Sequence, residues 1–308
     1  MEIALQFVLL ALGFVMLAKG ADWFVEGAAG IAMRFGIPQL VIGLTIVAMG
    51  TSAPEAAVSI AAAVKGNADI TIGNIVGSNI LNILVILGLA ASIVPIAVAR
   101  STVRIEIPFM IAVTALLFYQ GRDGSISLAD GGVLMVAFAA YMMYLYTMAM
   151  KSNVDSDLEE PGLPLGRCLL GAVGGLALII AGSNVTVGAA TSIATYAGLS
   201  ERFIGLTIVA LGTSLPELFT SVAAARRGNA DIAIGNIVGS NIFNILFVVG
   251  LSSLIIDIPF ASAFNFDTYV ALGAAVLLLL CVLRTQRLQR WAGALMLVCY
   301  AAYLGYIL

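Results

Sequence analysis

Glu55 and Glu217 are the residues that promise chemistry here, because each sits in an apolar stretch directly behind a proline. They close two matching segments, Gly50-Thr51-Ser52-Ala53-Pro54-Glu55 and Gly212-Thr213-Ser214-Leu215-Pro216-Glu217. An ionisable residue deep in a membrane span is costly and normally marks function. Proline lacks an N–H and clashes with the carbonyl four residues back, so Pro54 is expected to free the carbonyl of Gly50. It also disfavours helical geometry at Ala53. A helix broken there presents carbonyl oxygens beside a carboxylate. At membrane depth such backbone is tolerated only where it is buried or lines a cavity, and a bound cation can coordinate both groups.

A second matched pair adds oxygen. Gly73-Asn74-Ile75-Val76-Gly77-Ser78-Asn79-Ile80-Leu81-Asn82 is answered by Gly235-Asn236-Ile237-Val238-Gly239-Ser240-Asn241-Ile242-Phe243-Asn244. Ser78 and Asn82 are four apart and share a helix face, as do Ser240 and Asn244. The Gly73/Gly77 and Gly235/Gly239 pairs have the spacing that lets membrane helices approach closely. This predicts the Ser/Asn face packed against the Pro-Glu break. Every candidate ligand is an oxygen, the choice of hard cations; softer metals prefer His or Cys. Two carboxylates match one Ca²⁺ or a group of Na⁺ ions.

These segments belong to a longer duplication. Val41–Ala90 and Phe203–Ser252 align at a constant offset of 162, with 35 of 50 positions identical. Broken apolar segments at corresponding places in two halves point to the central site of a transporter. Only 10% of residues are charged, where soluble domains carry about 25%, and mean hydropathy is +1.09. The chain is therefore read as membrane-embedded. Ten spans are expected, at about 3–30, 38–64, 70–93, 104–120, 127–149, 167–196, 201–225, 232–256, 267–284 and 289–307. The fourth is the weakest, with Glu106 and Pro108 at its start. Ile3–Ala18 has the look of a leader core. However, Lys19–Gly36 echoes Ala181–Gly198, so the first segment is expected to stay in the mature protein.

Ten spans divide into a first five-helix repeat over 1–150, with its duplicated core at 38–92, and a second over 167–308, with its core at 201–256. Between them runs a polar linker, 151–166, holding Asp155, Asp157, Glu159 and Glu160. These lack the spacing and turn glycine of an EF-hand and read as a solvated connection. Five spans per half make the second copy enter the membrane from the opposite side, an inverted repeat. With the N-terminus outside, 11 Lys/Arg fall on the inner side and 3 on the outer, as the positive-inside rule requires. The linker is then cytoplasmic and the chain a multi-pass protein of the cell membrane.

Other classes lose ground. With no histidine and neither H-E-x-x-H nor G-x-S-x-G, an intramembrane enzyme has little to work with. Cys168, Cys281 and Cys299 lack C-x-x-C spacing and read as packing residues. Gly66-Asn67-Ala68-Asp69 and Gly228-Asn229-Ala230-Asp231 read as turns, with Asp69 and Asp231 as alternative helix caps. A net charge of −3 is too small to imply nucleic acid. A passive cation channel is the other transport class, but channels more often form their axis between subunits, whereas this site lies within one chain.

The paired GTSxPE and GNIVGSNIxN segments resemble the two α-repeats of the cation/calcium exchanger superfamily, and most closely the prokaryotic sodium/calcium exchangers. The resemblance covers essentially the whole chain. It implies an all-α membrane protein of ten helices in a five-plus-five inverted repeat, with broken helices around a central ion site. It implies antiport of Na⁺ against Ca²⁺ by alternating access, with the long first and sixth helices sliding past the core. It implies that more than two Na⁺ are coupled to each Ca²⁺. Carried over, Glu55 and Glu217 would ligate Ca²⁺ with the main-chain carbonyls of Thr51 and Thr213. Sodium would use the same glutamates, Ser52, Ser78, Ser214, Ser240 and the carbonyls of Ala48 and Ala210, with Asn82 and Asn244 lining the middle. Some relatives have Asp where this chain has Asn244, and an acidic residue there goes with K⁺ transport, so K⁺ independence is expected. The runner-up is a Ca²⁺/H⁺ exchanger, in which the two glutamates carry protons, but those relatives centre on a GNxxE pattern. The expected partners are the two transported ions and the lipid bilayer, with one chain functional alone and no cofactor.

Overall fold

The computed structural model describes residues 2–66, 69–152, 163–198 and 210–307, which are almost wholly helical. The long helices are α1 (Glu2–Phe35), α3 (Thr71–Ile93), α4 (Thr102–Asp123), α5 (Leu128–Lys151) and α6 (Leu165–Tyr196). The second half continues with α8 (Ala230–Ile255), α9 (Ala263–Val282) and α10 (Arg290–Ile307). The second and seventh are broken. Helix α2a (Gln39–Thr51) meets α2b (Ala53–Val64) at an angle of 51°. Its counterpart comprises α7a (Ala210–Thr213) and α7b (Leu215–Arg226). The start of the expected seventh span, 201–209, and most of the acidic linker, 153–162, lie outside the described residues. The fold is an all-α membrane protein, ten transmembrane helices in a five-plus-five inverted repeat.

The inversion is visible where α1 meets α6. Gly20 packs on Gly175, and Gly13 packs on Gly182, so the two helices run antiparallel. A methyl group added to Gly20 would lie 2.9 Å from the Gly175 carbonyl, and one on Gly175 would lie 2.7 Å from the Gly20 carbonyl. Only glycine allows that approach, and close backbone packing is what joins helices in lipid. Helices α3 and α8 form the centre: 83% and 94% of their spanning windows are buried, against 17% for α1, α5 and α10. A helix apolar all round belongs in such a core.

Two short strand pairs tie the loops. Strand β1 (Ile96–Ala97) pairs antiparallel with β4 (Arg287–Leu288), joining the α3–α4 and α9–α10 loops. Strand β2 (Ser125–Ile126) pairs with β3 (Ile258–Pro259), joining the α4–α5 and α8–α9 loops. Each pair puts on one membrane side two loops that the charge distribution also places together.

The proline breaks fall one residue earlier than expected. Ser52 (φ −82°, ψ 6°) and Ser214 (φ −88°, ψ 3°) leave helical geometry, whereas Ala53 and Leu215 already begin the next helix. Pro54 and Pro216 then occupy a first turn, where a missing N–H costs nothing because those donors have no intrahelical partner. Asp231 is not a cap either. Asn229 precedes α8, and Asp231 lies within its first turn. The turn reading does hold at Gly228, whose φ of +80° suits glycine.

Candidate functional site

The two breaks face each other across the pseudo-two-fold axis. Ser52 donates its hydroxyl to Glu217 Oε1 at 2.8 Å, and Ser214 donates to Glu55 Oε1 at 3.3 Å. Each glutamate therefore takes its serine from the other half. Both carboxylates are 1% exposed, with no Lys or Arg paired to them among the described residues.

Crossing of the halves begins in the backbone. Helix α2a lies directly on α8, and a methyl group on Gly239 would sit 2.7 Å from the Leu44 carbonyl and 2.8 Å from the Ala48 side chain. This closeness lets Ser240 donate to the Ala48 carbonyl at 3.3 Å. It also lets the Thr51 hydroxyl donate to Asn236 Oδ1 at 3.0 Å. The Gly235/Gly239 spacing thus brings the Ser/Asn face of α8 to the break in α2, as expected from sequence, whereas Gly73 of the first pair meets Phe264 of α9.

Asn79 and Asn241, to which no role falls on sequence grounds, form the lock at the axis. Each donates its amide nitrogen to the other's main-chain carbonyl, at 3.2 Å in both directions. A carbonyl can only accept, so both amide oxygens are left as acceptors. Asn241 Oδ1 receives Asn82 Nδ2 at 2.9 Å, and Asn79 Oδ1 receives Asn244 Nδ2 at 3.1 Å. The polarity of the chain is then set: Asn82 and Asn244 have committed their donors and present their oxygens. Both residues open π-helical turns, Asn82–Leu87 and Asn244–Val249. Such turns recur at functional sites. Helix α7b packs against the first turn and α2b against the second.

Among the described residues, four buried oxygens of this network have no hydrogen-bond partner: Glu55 Oε2, Glu217 Oε2, Asn82 Oδ1 and Asn244 Oδ1. Buried polar atoms are nearly always paired, so a set of four, two from each half and all acceptors, fits a cation. Around them runs a supporting layer that the sequence reading passed over. Asn74 donates to Ser59 at 2.9 Å and to the Glu55 carbonyl at 3.3 Å. Asn236 donates to Ser221 at 2.9 Å and to the Glu217 carbonyl at 3.4 Å. Their place in both copies of the repeat was the available signal.

The symmetry fails where α1 and α6 meet the two breaks. The carbonyl of Gly212 accepts a hydrogen bond from Ser183 of α6 at 2.7 Å. The matching residue of α1 is Ala21, which has no hydroxyl, and the side chains of Phe24 and Leu176 cover Gly50 instead. Ser78 is buried beside this network, and so are Thr51, Ser52, Ser214 and Ser240. Helix α7a carries Ala210 and Thr213 up to the second break.

Comparison with known proteins decides the family. A family profile described as "Sodium/calcium exchanger protein" matches residues 5–147 and 168–308. The chain belongs to the sodium/calcium exchanger family. It is 41% identical to the putative antiporter CaxA of Alkalimonas amylolytica, over 98% of both chains. It is 33% identical to the sodium/calcium exchanger MaX1 of Methanosarcina acetivorans, again over 98% of both. Among solved structures, the sodium-calcium exchanger NCX_Mj soaked with zero Na⁺ and Ca²⁺ matches with a TM-score of 0.87 at 33% identity, covering 99% of this chain and 100% of that one. The expected resemblance is thereby established over the full length. This exchanger is a prokaryotic member of the cation/calcium exchanger superfamily, a multi-pass membrane antiporter whose substrates are ions.

Proposed function

We propose that the protein exchanges Na⁺ for Ca²⁺ by alternating access through one shared site at the axis. The observation that carries this is the set of four unpartnered oxygens on Glu55, Glu217, Asn82 and Asn244. Ca²⁺ takes six to eight oxygen ligands. Beyond the glutamates, the main-chain carbonyls of Thr51 and Thr213 complete its shell. Sodium occupies the same carboxylates with Ser52, Ser78, Ser214 and Ser240 and the carbonyls of Ala48 and Ala210. The Ser52–Glu217 and Ser240–Ala48 hydrogen bonds already bring several of these oxygens together. Asn82 and Asn244 line the middle, their oxygens turned free by the Asn79–Asn241 lock.

Exchange is electrogenic and independent of K⁺, because several Na⁺ fit the serine-flanked carboxylates and Asn244 is neutral. One chain suffices, since both halves of the site come from it. The N-terminus lies outside and the 151–166 linker in the cytoplasm. In support, the Arg287-containing pair with the α3–α4 loop gathers Arg100, Arg284, Arg287 and Arg290 to one side. Ca²⁺ uptake into proteoliposomes under separately imposed Na⁺, K⁺ and H⁺ gradients tests the reading. Uptake driven by Na⁺ alone is expected; uptake driven only by a pH gradient would make the protein a Ca²⁺/H⁺ exchanger, and flux without countertransport a channel.

A further inference from the structure

Glu106 is a second intramembrane carboxylate, and the ion site does not use it. It closes a π-helical turn, Thr102–Glu106, near the start of α4, and is 0% exposed. It lines a cavity of about 330 Å³ between α4 and α5, together with Ile105, Phe109, Ala140, Tyr141 and Tyr144. None of these residues belongs to α2, α3, α7 or α8.

The polar atoms of this cavity are only partly used. Tyr144 donates its hydroxyl to Glu106 Oε1. Glu106 Oε2 and the Tyr141 hydroxyl are buried and have no partner. The aromatic rings form a wall: Phe109 stacks on Tyr141 at 5.2 Å between centroids, and Tyr141 on Tyr144 at 6.4 Å. Ile105 and Ala140 at the rim are exposed on the membrane-facing surface.

We propose that this cavity binds the primary ammonium headgroup of a membrane lipid. A buried carboxylate in a cavity lined by three aromatic rings is a cation site. A divalent metal does not fit it, because hard cations need a shell of oxygens and the lining has one carboxylate in otherwise apolar walls. A quaternary ammonium does not fit either, having no N–H to offer Glu106 Oε2 and the Tyr141 oxygen. A primary ammonium has three donors and satisfies both. The rim lies on the lipid-facing side, so the occupant must reach the cavity from the bilayer and leave its acyl chains there.

The duplicated half acts as an internal control. At the same offset Tyr141 and Tyr144 are matched by Tyr303 and Tyr306, and these line a cavity of about 510 Å³ between α9 and α10. Glu106, however, is matched by Thr268. The second groove has its own carboxylate, Asp267, which accepts from Tyr303 at 2.8 Å, but Asp267 is half-buried and does not line the cavity. Of the two grooves, only the first is lined by a fully buried carboxylate with an open oxygen.

Native mass spectrometry of the full chain, with lipids of identical acyl chains, tests this. Phosphatidylethanolamine should bind about tenfold or more tightly than phosphatidylcholine or phosphatidylglycerol, the scale set by a charge-assisted hydrogen bond with a cation–π contact. Glu106→Gln should abolish that preference. Ala140→Trp, which blocks the rim and leaves the carboxylate intact, should abolish it too and carries the test if Glu106→Gln does not fold. Equal binding of the three lipids, a preference for phosphatidylglycerol, or a preference for phosphatidylethanolamine that survives either folded variant would overturn the proposal. The ion exchange reading stands or falls separately, on the flux assay.

Discussion

Ser52 donates to Glu217 at 2.8 Å, a bond between residues 165 positions apart that joins the two halves at the point where both helices break. Ser214 returns the contact to Glu55 at 3.3 Å. Neither glutamate is served by the serine three residues before it in its own motif. The negative charge of each half is therefore held by a hydroxyl of the other, and a change at one break is felt at both.

Glu55→Gln and Glu217→Gln should each nearly abolish Ca²⁺ transport in a folded protein. Side-chain volume barely changes, but half the site's negative charge is lost. Leaving a buried charge without its partner costs about 3–5 kcal/mol, or ~100-fold or more in binding. Ca²⁺ flux into proteoliposomes, with thermal unfolding in detergent as the folding control, is the measurement. Wild-type exchange in either variant would remove the glutamates from the site.

Na⁺ and Ca²⁺ should compete. One pair of buried carboxylates cannot neutralise both ion loads in a low dielectric. Apparent Ca²⁺ affinity should fall as Na⁺ rises at fixed ionic strength. Ser52→Ala should weaken the Na⁺ effect more than Ca²⁺ binding itself, because the hydroxyl belongs to the proposed Na⁺ set. An affinity indifferent to Na⁺ would rule out a shared site.

Asn79→Asp should destabilise the protein by about 1–3 kcal/mol, the usual cost of leaving a buried acceptor unpaired. A carboxylate cannot donate to the Asn241 carbonyl, which now receives the Asn79 amide at 3.2 Å. Denaturation should show the loss. A variant as stable as the parent would mean the lock is not structural.

Flux should depend on membrane potential and not on K⁺. Each net charge moved couples to the field at about 2.3 kcal/mol per 100 mV. Clamping the potential with an ionophore, with and without K⁺, separates the two claims. Voltage-independent flux would refute electrogenicity, and an absolute K⁺ requirement would refute the reading of Asn244. The companion variant Asn244→Asp adds a third carboxylate and should slow Na⁺-for-Ca²⁺ exchange unless a proton or another cation enters. An unchanged variant would place Asn244 outside the ion path.

The duplication, the membrane class, the inverted order of the halves and the Pro-Glu breaks could all be read from residue order alone. They rest on local properties: apolar length against bilayer thickness, the missing N–H of proline, and an odd number of spans between copies. Which atoms meet across the axis is not a local property. The repeat lists a serine and a glutamate in each half, and only the tertiary structure decides that Ser52 serves Glu217 and Ser214 serves Glu55. The same holds for Asn79 and Asn241. They read as two more amides in an apolar run until folding sets each against the other's carbonyl. That contact turns the oxygens of Asn82 and Asn244 free. Glu106 read as a weakness in the fourth span. Packing of α4 on α5 makes it the wall of a cavity, because burial and an aromatic lining depend on Tyr141 and Tyr144, the latter 38 residues further along the chain.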